Sequence, residues 1–374
     1  MYIFPVFILT RFIIALILQS SAFASSDECL LQEAVEDPNY KLVMEISDKA
    51  YELVCPREAL NNFEREHKLE FRESHTARTG WWKISSEENF AITYFKERNS
   101  HPTIYIGFRG TINIPDWMSN IKFSKARFNH KGMNIRGKDI EVHAGFLDTY
   151  LSIKDSLSNY IKERKKGLRS KDELKFYIAG HSLGGALAQL LVLDLILDKI
   201  AKPKNIKLVT IASPRVFSKD SVKKLNENNS NFEEYNCLQK HIRLFTQLDI
   251  VPHLPPSIFG YDPIGLPVQN TAAKVFVDNV NDRTIAAVSQ AYNDFKQGDI
   301  KSFLKPFYAL IRFAHNPDEH QRNFHTNIER EIEVASGRRN NGANIFNRIM
   351  ANFDEEEIAL LQEEGCFMDL GWPL

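Results

Sequence analysis

Gly180-His181-Ser182-Leu183-Gly184 lies where a strand-like run, "FYIAG", gives way to a run with helical periodicity, "GALAQLLVLDLILDKI". G-x-S-x-G in that context is a nucleophile elbow: a tight turn holds the serine in a strained backbone, and the flanking glycines avoid collisions inside the bend. The expected product is an exposed Ser182 hydroxyl at the edge of a sheet. A serine hydroxyl attacks a carbonyl only with a base to take its proton, a carboxylate to orient that base and donors for the oxyanion. The N–H of Leu183, at the positive end of the following helix, is the expected first donor. Such sites run nucleophile, acid, histidine along the chain. Asp249, just past the strand-like "HIRLFTQ", and Asp262, before Pro263, are the candidate acids; His315, His320 and His325 are the candidate bases. His253 lies only four residues past Asp249 in a proline-bearing turn, too near to fold back on it.

Strand-like and helix-like segments alternate around this hinge. "FAITYF", "TIYIGF", "LKFYIAG", "IKLVTIAS" and "HIRLFTQ" read as strands, and the segments from Gly145 to Lys166, Gly185 to Ile200 and Ser218 to Glu227 read as helices. That alternation predicts a mainly parallel central sheet with helices on both faces. A helix-like stretch precedes the first strand, and the region beyond about residue 280 reads as helical. The basic run "KERKKGLRSKDELK" reads as a solvated connection.

Apolar residues make up 43% of the 374-residue chain and charged ones 25%, which argues against disorder and against a membrane bundle. A formal net charge of −1 leaves no electrostatic footprint for nucleic acid. Residues 1–24 are apolar, carry only Arg11 as a charge and close on Ala22-Phe23-Ala24, the pattern of a cleaved signal peptide, with an uncleaved anchor as the alternative. Residues 25–374 then form one domain, with its core at about 90–330, in a secreted or periplasmic protein. Cys29, Cys55, Cys237 and Cys366 suit up to two disulfides of open pairing, and without a CxxC spacing neither a metal nor a redox site is expected.

Five blocks in order resemble the class 3 lipases, which include the fungal triacylglycerol lipases: "IGFRGTINIPDWMSNI", "VHAGFLDTY", "GHSLGGALA", "TIASPRV" and "QLDIVPHLPP". The resemblance spans residues 104 to about 256 and implies the α/β-hydrolase fold. It makes Ser182 the nucleophile and Asp249 the acid, with the backbone N–H of Thr111 joining Leu183 in the oxyanion hole and Arg109 bracing the loop. It favours His320, followed by Phe324, as the base, with His325 and His315 behind it. Asn120 departs from the acidic residue common in the family. Trp117, Ile258 and Phe259 are expected to meet the acyl chain, with Ile112, Ile114 and Met118 beside Trp117 in a segment that resembles the start of a lid.

The implied activity is hydrolysis of acylglycerol esters through an acyl-enzyme, without metal or organic cofactor, at a lipid–water interface. Phospholipase A1 and short-chain esterase activities use the same chemistry. A serine peptidase, or a silent binding protein on the same fold, are the competing classes.

Overall fold

The computed structural model describes residues 33–34, 36–54, 58–79, 86–97, 102–111, 123–128, 140–166, 168, 173–226, 238, 241–246, 249, 251–255 and 257–270. Within them a seven-stranded sheet is built from β1 (Glu70–Thr79), β2 (Ser86–Lys96), β3 (Thr103–Phe108), β6 (Lys175–His181), β7 (Ile206–Ile211), β9 (Ile242–Thr246) and β11 (Leu266–Asn270), side by side in that order. β1, β2 and β3 pair antiparallel, and every pairing from β3 to β11 is parallel. A second, antiparallel sheet, not foreseen from the sequence, joins β4 (Lys125–Arg127), β5 (Glu141–His143), β8 (Phe217–Ser218) and β10 (Tyr261–Asp262).

The parallel strands are apolar at nearly every position because both faces are covered. Alternation sorts their side chains: Ile104, Ile106, Phe108, Phe176 and Ile178 enter one core, and Tyr105, Tyr177, Ala179, Val209 and Ile211 enter the other. The first core is closed by α3 (Ala144–Lys166) and α4 (Leu183–Leu197), the second by α1 (Pro38–Lys49) and α2 (Glu58–His67). A fifth helix, α5 (Lys219–Asn226), packs beside the small sheet. This is the α/β-hydrolase arrangement, with helices on both faces; the helical region expected beyond residue 280 lies outside the described residues.

α4 is buried at every position from Leu183 to Ile196, so it runs between the sheet and α3. Its one buried charge, Asp194, accepts from Tyr150 Oη at 2.8 Å and Lys154 Nζ at 2.7 Å, both on α3. α1 starts at a defined cap: the Asp37 side chain accepts from the N–H of Asn39, and Pro38 occupies the first turn. Its approach to β3 is close, since a Cβ on Gly107 would stand 2.6 Å from the backbone of Ile46 and Ser47. Ser47 Oγ donates to the carbonyl of Phe108 at 2.7 Å, fixing the helix to the last residue of β3.

His75 ties three elements together. Fully buried on β1, it contacts Thr93 Oγ1 of β2 at 2.9 Å and Ser156 Oγ of α3 at 2.6 Å, and burial lowers its pKa from 6.5 to about 4. The unfolded chain therefore binds the extra proton first. Stability from this group is complete above pH 6.5 and falls away as the pH drops toward 4, by up to about 3 kcal/mol. Thermal unfolding followed from pH 7 to pH 4 should show the midpoint falling across that window, with a shallower fall in His75→Gln. Buried His241 and half-buried His253, also lowered to about 4, keep the variant from becoming flat.

Candidate active site

Ser182 stands between the end of β6 and the first residue of α4 with φ 54° and ψ −128°, a region that side chains rarely occupy. The bend is packed backbone on backbone. A Cβ on Gly180 would meet the carbonyl oxygen of Gly184 at 2.3 Å, and one on Gly184 would meet that of Arg109 at 2.4 Å. The N–H of Ser182 donates to Ile211 at the end of β7, and its carbonyl accepts from Gly185. A serine at a helix N-cap ordinarily accepts from the first turn with its side chain. Ser182 makes no such bond, and among the described residues its Oγ is buried without a hydrogen-bond partner. The exposed hydroxyl expected from the sequence is thus corrected: Ser182 is fully buried. Gly110 lies directly against it, so that a Cβ there would come within 2.6 Å of Ser182 Cβ.

The loop after β3 reaches the same edge of the sheet, because Phe108 is in register with Gly180. Arg109, almost fully buried, is the loop's brace, as the sequence suggested. Its Nε donates to the carbonyl of Asn89 at 2.5 Å, Nη2 bonds Glu88 at 2.8 Å, and the guanidinium lies 4.6 Å from the centroid of Phe90. Nη1 donates to the carbonyl of Gly110 at 2.9 Å. Since the Gly110–Thr111 peptide is planar and trans, fixing that carbonyl also sets the direction of the Thr111 N–H. The other face of Gly110 is held by a residue the sequence reading passed over. The N–H of Gly110 donates to Tyr51 Oη at 2.8 Å, and the same hydroxyl lies 2.6 Å from His181 Nδ1.

Asp249 follows β9, two strands from Ser182, at the same carboxyl edge of the sheet. It is fully buried, and its Oδ1 accepts from the N–H of Val251 at 2.9 Å, opening the 3₁₀ turn Val251–His253. Two buried arginines hold this turn. Arg243 Nη2 donates to the carbonyl of Pro252 at 2.9 Å and Arg215 Nη1 to that of Pro255 at 3.1 Å, while the N–H of Arg215 bonds Leu254 at 2.7 Å. Burial and then Arg215 lower the Arg243 pKa to about 10, against the opposing pull of Asp249.

Residues 105–259 match the family model described as "Lipase (class 3)". This segment is similar to the class 3 lipases. The chain is 28% identical over 216 residues to a lipase of Rhizomucor miehei, covering 57% of this chain and 51% of that protein. It is 30% identical over 168 residues to the secreted mono- and diacylglycerol lipase 1 of Fusarium solani, covering 45% and 44%. It is 27% identical over 203 residues to phospholipase A1-II 1 of Oryza sativa subsp. japonica, covering 50% and 49%. The chain spans about half the length, or less, of the curated relatives it matches.

Phe259 is 47% exposed, its ring 4.6 Å from that of Phe123, which leaves an apolar surface beside the acid loop. Ile258 occupies the same 3₁₀ turn, Ser257–Phe259. Asp262, the reserve acid, pairs with Phe217 in the small sheet instead of following β9. His253 lies edge-on to Phe245, and burial, Arg243 and Arg215 lower its pKa to about 4. His143 stacks on Phe146 at 4.1 Å, a packing role. The segment 112–122, with Trp117, and His315, His320, His325 and the four cysteines lie outside the described residues. Among the described residues no cluster of His, Cys, Asp and Glu has the makings of a metal site.

Proposed function

We propose that this protein is a secreted serine hydrolase that cleaves acylglycerol esters, with Ser182 as nucleophile, His320 as base and Asp249 as the acid that orients it. The observation that carries the reading is the serine itself. Its backbone is held at φ 54° in the hinge of an elbow, and its hydroxyl is withheld from the helix it caps. A fold tolerates such strain where the strained atom has work to do. His320 takes the proton of Ser182 Oγ as that oxygen bonds to the ester carbon. The N–H groups of Thr111 and Leu183 hold the oxyanion, and the alcohol leaves with the proton. Water then attacks the acyl-enzyme with His320 again as base, releasing the fatty acid and the free serine. The buried Ser182 Oγ requires that whatever covers it move aside before an ester enters. Trp117, Ile258 and Phe259 then receive the acyl chain.

Purified protein should release fatty acid from tri- and diacylglycerol emulsions and label at Ser182 with a fluorophosphonate. Including phospholipids and short-chain esters distinguishes the phospholipase A1 reading, which the Oryza sativa relative's name favours. Absence of both labelling and turnover by folded protein would favour a silent binding protein, and turnover of amides alone a peptidase. His320→Ala should lose most turnover while remaining folded; the same loss in His325→Ala instead would move the base there.

A further inference from the structure

Tyr51 lies in the 3₁₀ turn Tyr51–Val54 directly after α1, far outside the family-matched residues 105–259. Its hydroxyl touches the residue before each of two reacting groups: Gly110, which precedes Thr111, and His181, which precedes Ser182. The packing leaves no slack there. A Cβ on Gly110 would meet Tyr51 Oη at 2.8 Å, Ser182 Cβ at 2.6 Å and the carbonyl of His181 at 3.0 Å. The placement of Tyr51 is itself fixed, because α1 is seated on Gly107 and bonded through Ser47 to Phe108.

From this juxtaposition we infer that Tyr51 is a positioning residue for the oxyanion hole, its hydroxyl clamping the Gly110 N–H and the His181 imidazole so that the Thr111 and Ser182 backbones keep one fixed spacing. The inference rests on the serine hydrolase reading. Tyr51 Oη accepts from Gly110 and, on this reading, gives its own proton to His181 Nδ1, which corresponds to the Nε2–H tautomer of His181. Burial raises the phenol well above its ordinary range, so this donor persists throughout the working pH range. With Arg109 holding the carbonyl of Gly110, both sides of that residue are tied before substrate arrives. Donors fixed in advance need no reorganisation as the oxyanion forms, and that advantage appears in the transition state more than in the ground state.

The test is Tyr51→Phe, which keeps the ring and deletes the hydroxyl. Its kcat is expected to fall about ten- to a hundredfold with KM within about twofold, and affinity for a boronic acid, which forms a tetrahedral adduct on the serine, to fall in parallel. Affinity for a planar, unreactive ester analogue should not change. The ¹⁵N spectrum of His181 in the wild-type protein should show Nε2 protonated and Nδ1 accepting, and the Nδ1 signal should shift in the variant. A purely structural tyrosine would lower the thermal midpoint without separating kcat from KM. Unchanged kcat and boronate affinity in folded variant would overturn the inference, as would an Nδ1-protonated His181 in the wild type should the variant not fold. Ser182→Ala separates the two levels: if that variant keeps hydrolysing esters, the hydrolase reading fails and the role of Tyr51 with it. If it is inactive while Tyr51→Phe is fully active, only the role of Tyr51 is lost.

Discussion

Ser182→Ala is expected to lower kcat for ester hydrolysis by about 10⁴- to 10⁶-fold, the scale seen when a serine nucleophile is removed and only the oxyanion hole and binding remain. The same substitution should leave the protein as stable as before, or more so. The hydroxyl is buried and partnerless among the described residues, so deleting it breaks no hydrogen bond to any of them and removes a desolvated polar group, worth about 1–3 kcal/mol. Alanine keeps the Cβ and therefore the strain at φ 54°; Ser182→Gly relieves that as well and should be more stable still. Turnover measured beside thermal unfolding checks both halves. A variant that retained turnover would displace Ser182 from the chemistry, and one that lost several degrees of stability would show that its hydroxyl serves the fold.

Asp249→Asn should cost about 10⁴-fold in kcat, because an amide neither holds the base in its tautomer nor stabilises the imidazolium. Here the effect on stability has the opposite sign. The amide oxygen still accepts from the N–H of Val251, so the turn persists, but the anion facing Arg243 is gone. An uncompensated buried cation costs about 3–5 kcal/mol when its partner is removed, an upper bound here because Arg243 keeps its bond to Pro252. Asp249→Asn should therefore be both inactive and less stable, where Ser182→Ala is inactive only. Activity within about tenfold of wild type would place the acid elsewhere, with Asp262 the first candidate to examine.

These contrasts follow from what local sequence does and does not record. β3, β6, β7 and β9 were legible because strands covered on both faces need apolar residues throughout, and the elbow was legible because its glycines are required by backbone contact at Gly180 and Gly184. β1 was missed because its buried positions carry His75 and Ala77, which interrupt the alternation that marks a strand. The strands of the small sheet are two or three residues long and leave no period to detect. Tyr51 was invisible for another reason: its partners lie 59 and 130 positions away, and nothing near it distinguishes a hinge-bracing tyrosine from a helix-end one. The packing of Gly110 against Ser182 was equally non-local, since the two meet only through the pairing of β3 with β6.

The seating of α1 against Gly107 has a practical consequence for anyone dividing the chain. A fragment cut to the family-matched residues 105–259 would keep the elbow and the acid turn, yet expose the faces of Tyr105, Tyr177 and Val209 that α1 shields, and leave the Phe108 carbonyl without Ser47. The boundary drawn by similarity is thus narrower than the boundary drawn by mechanical support.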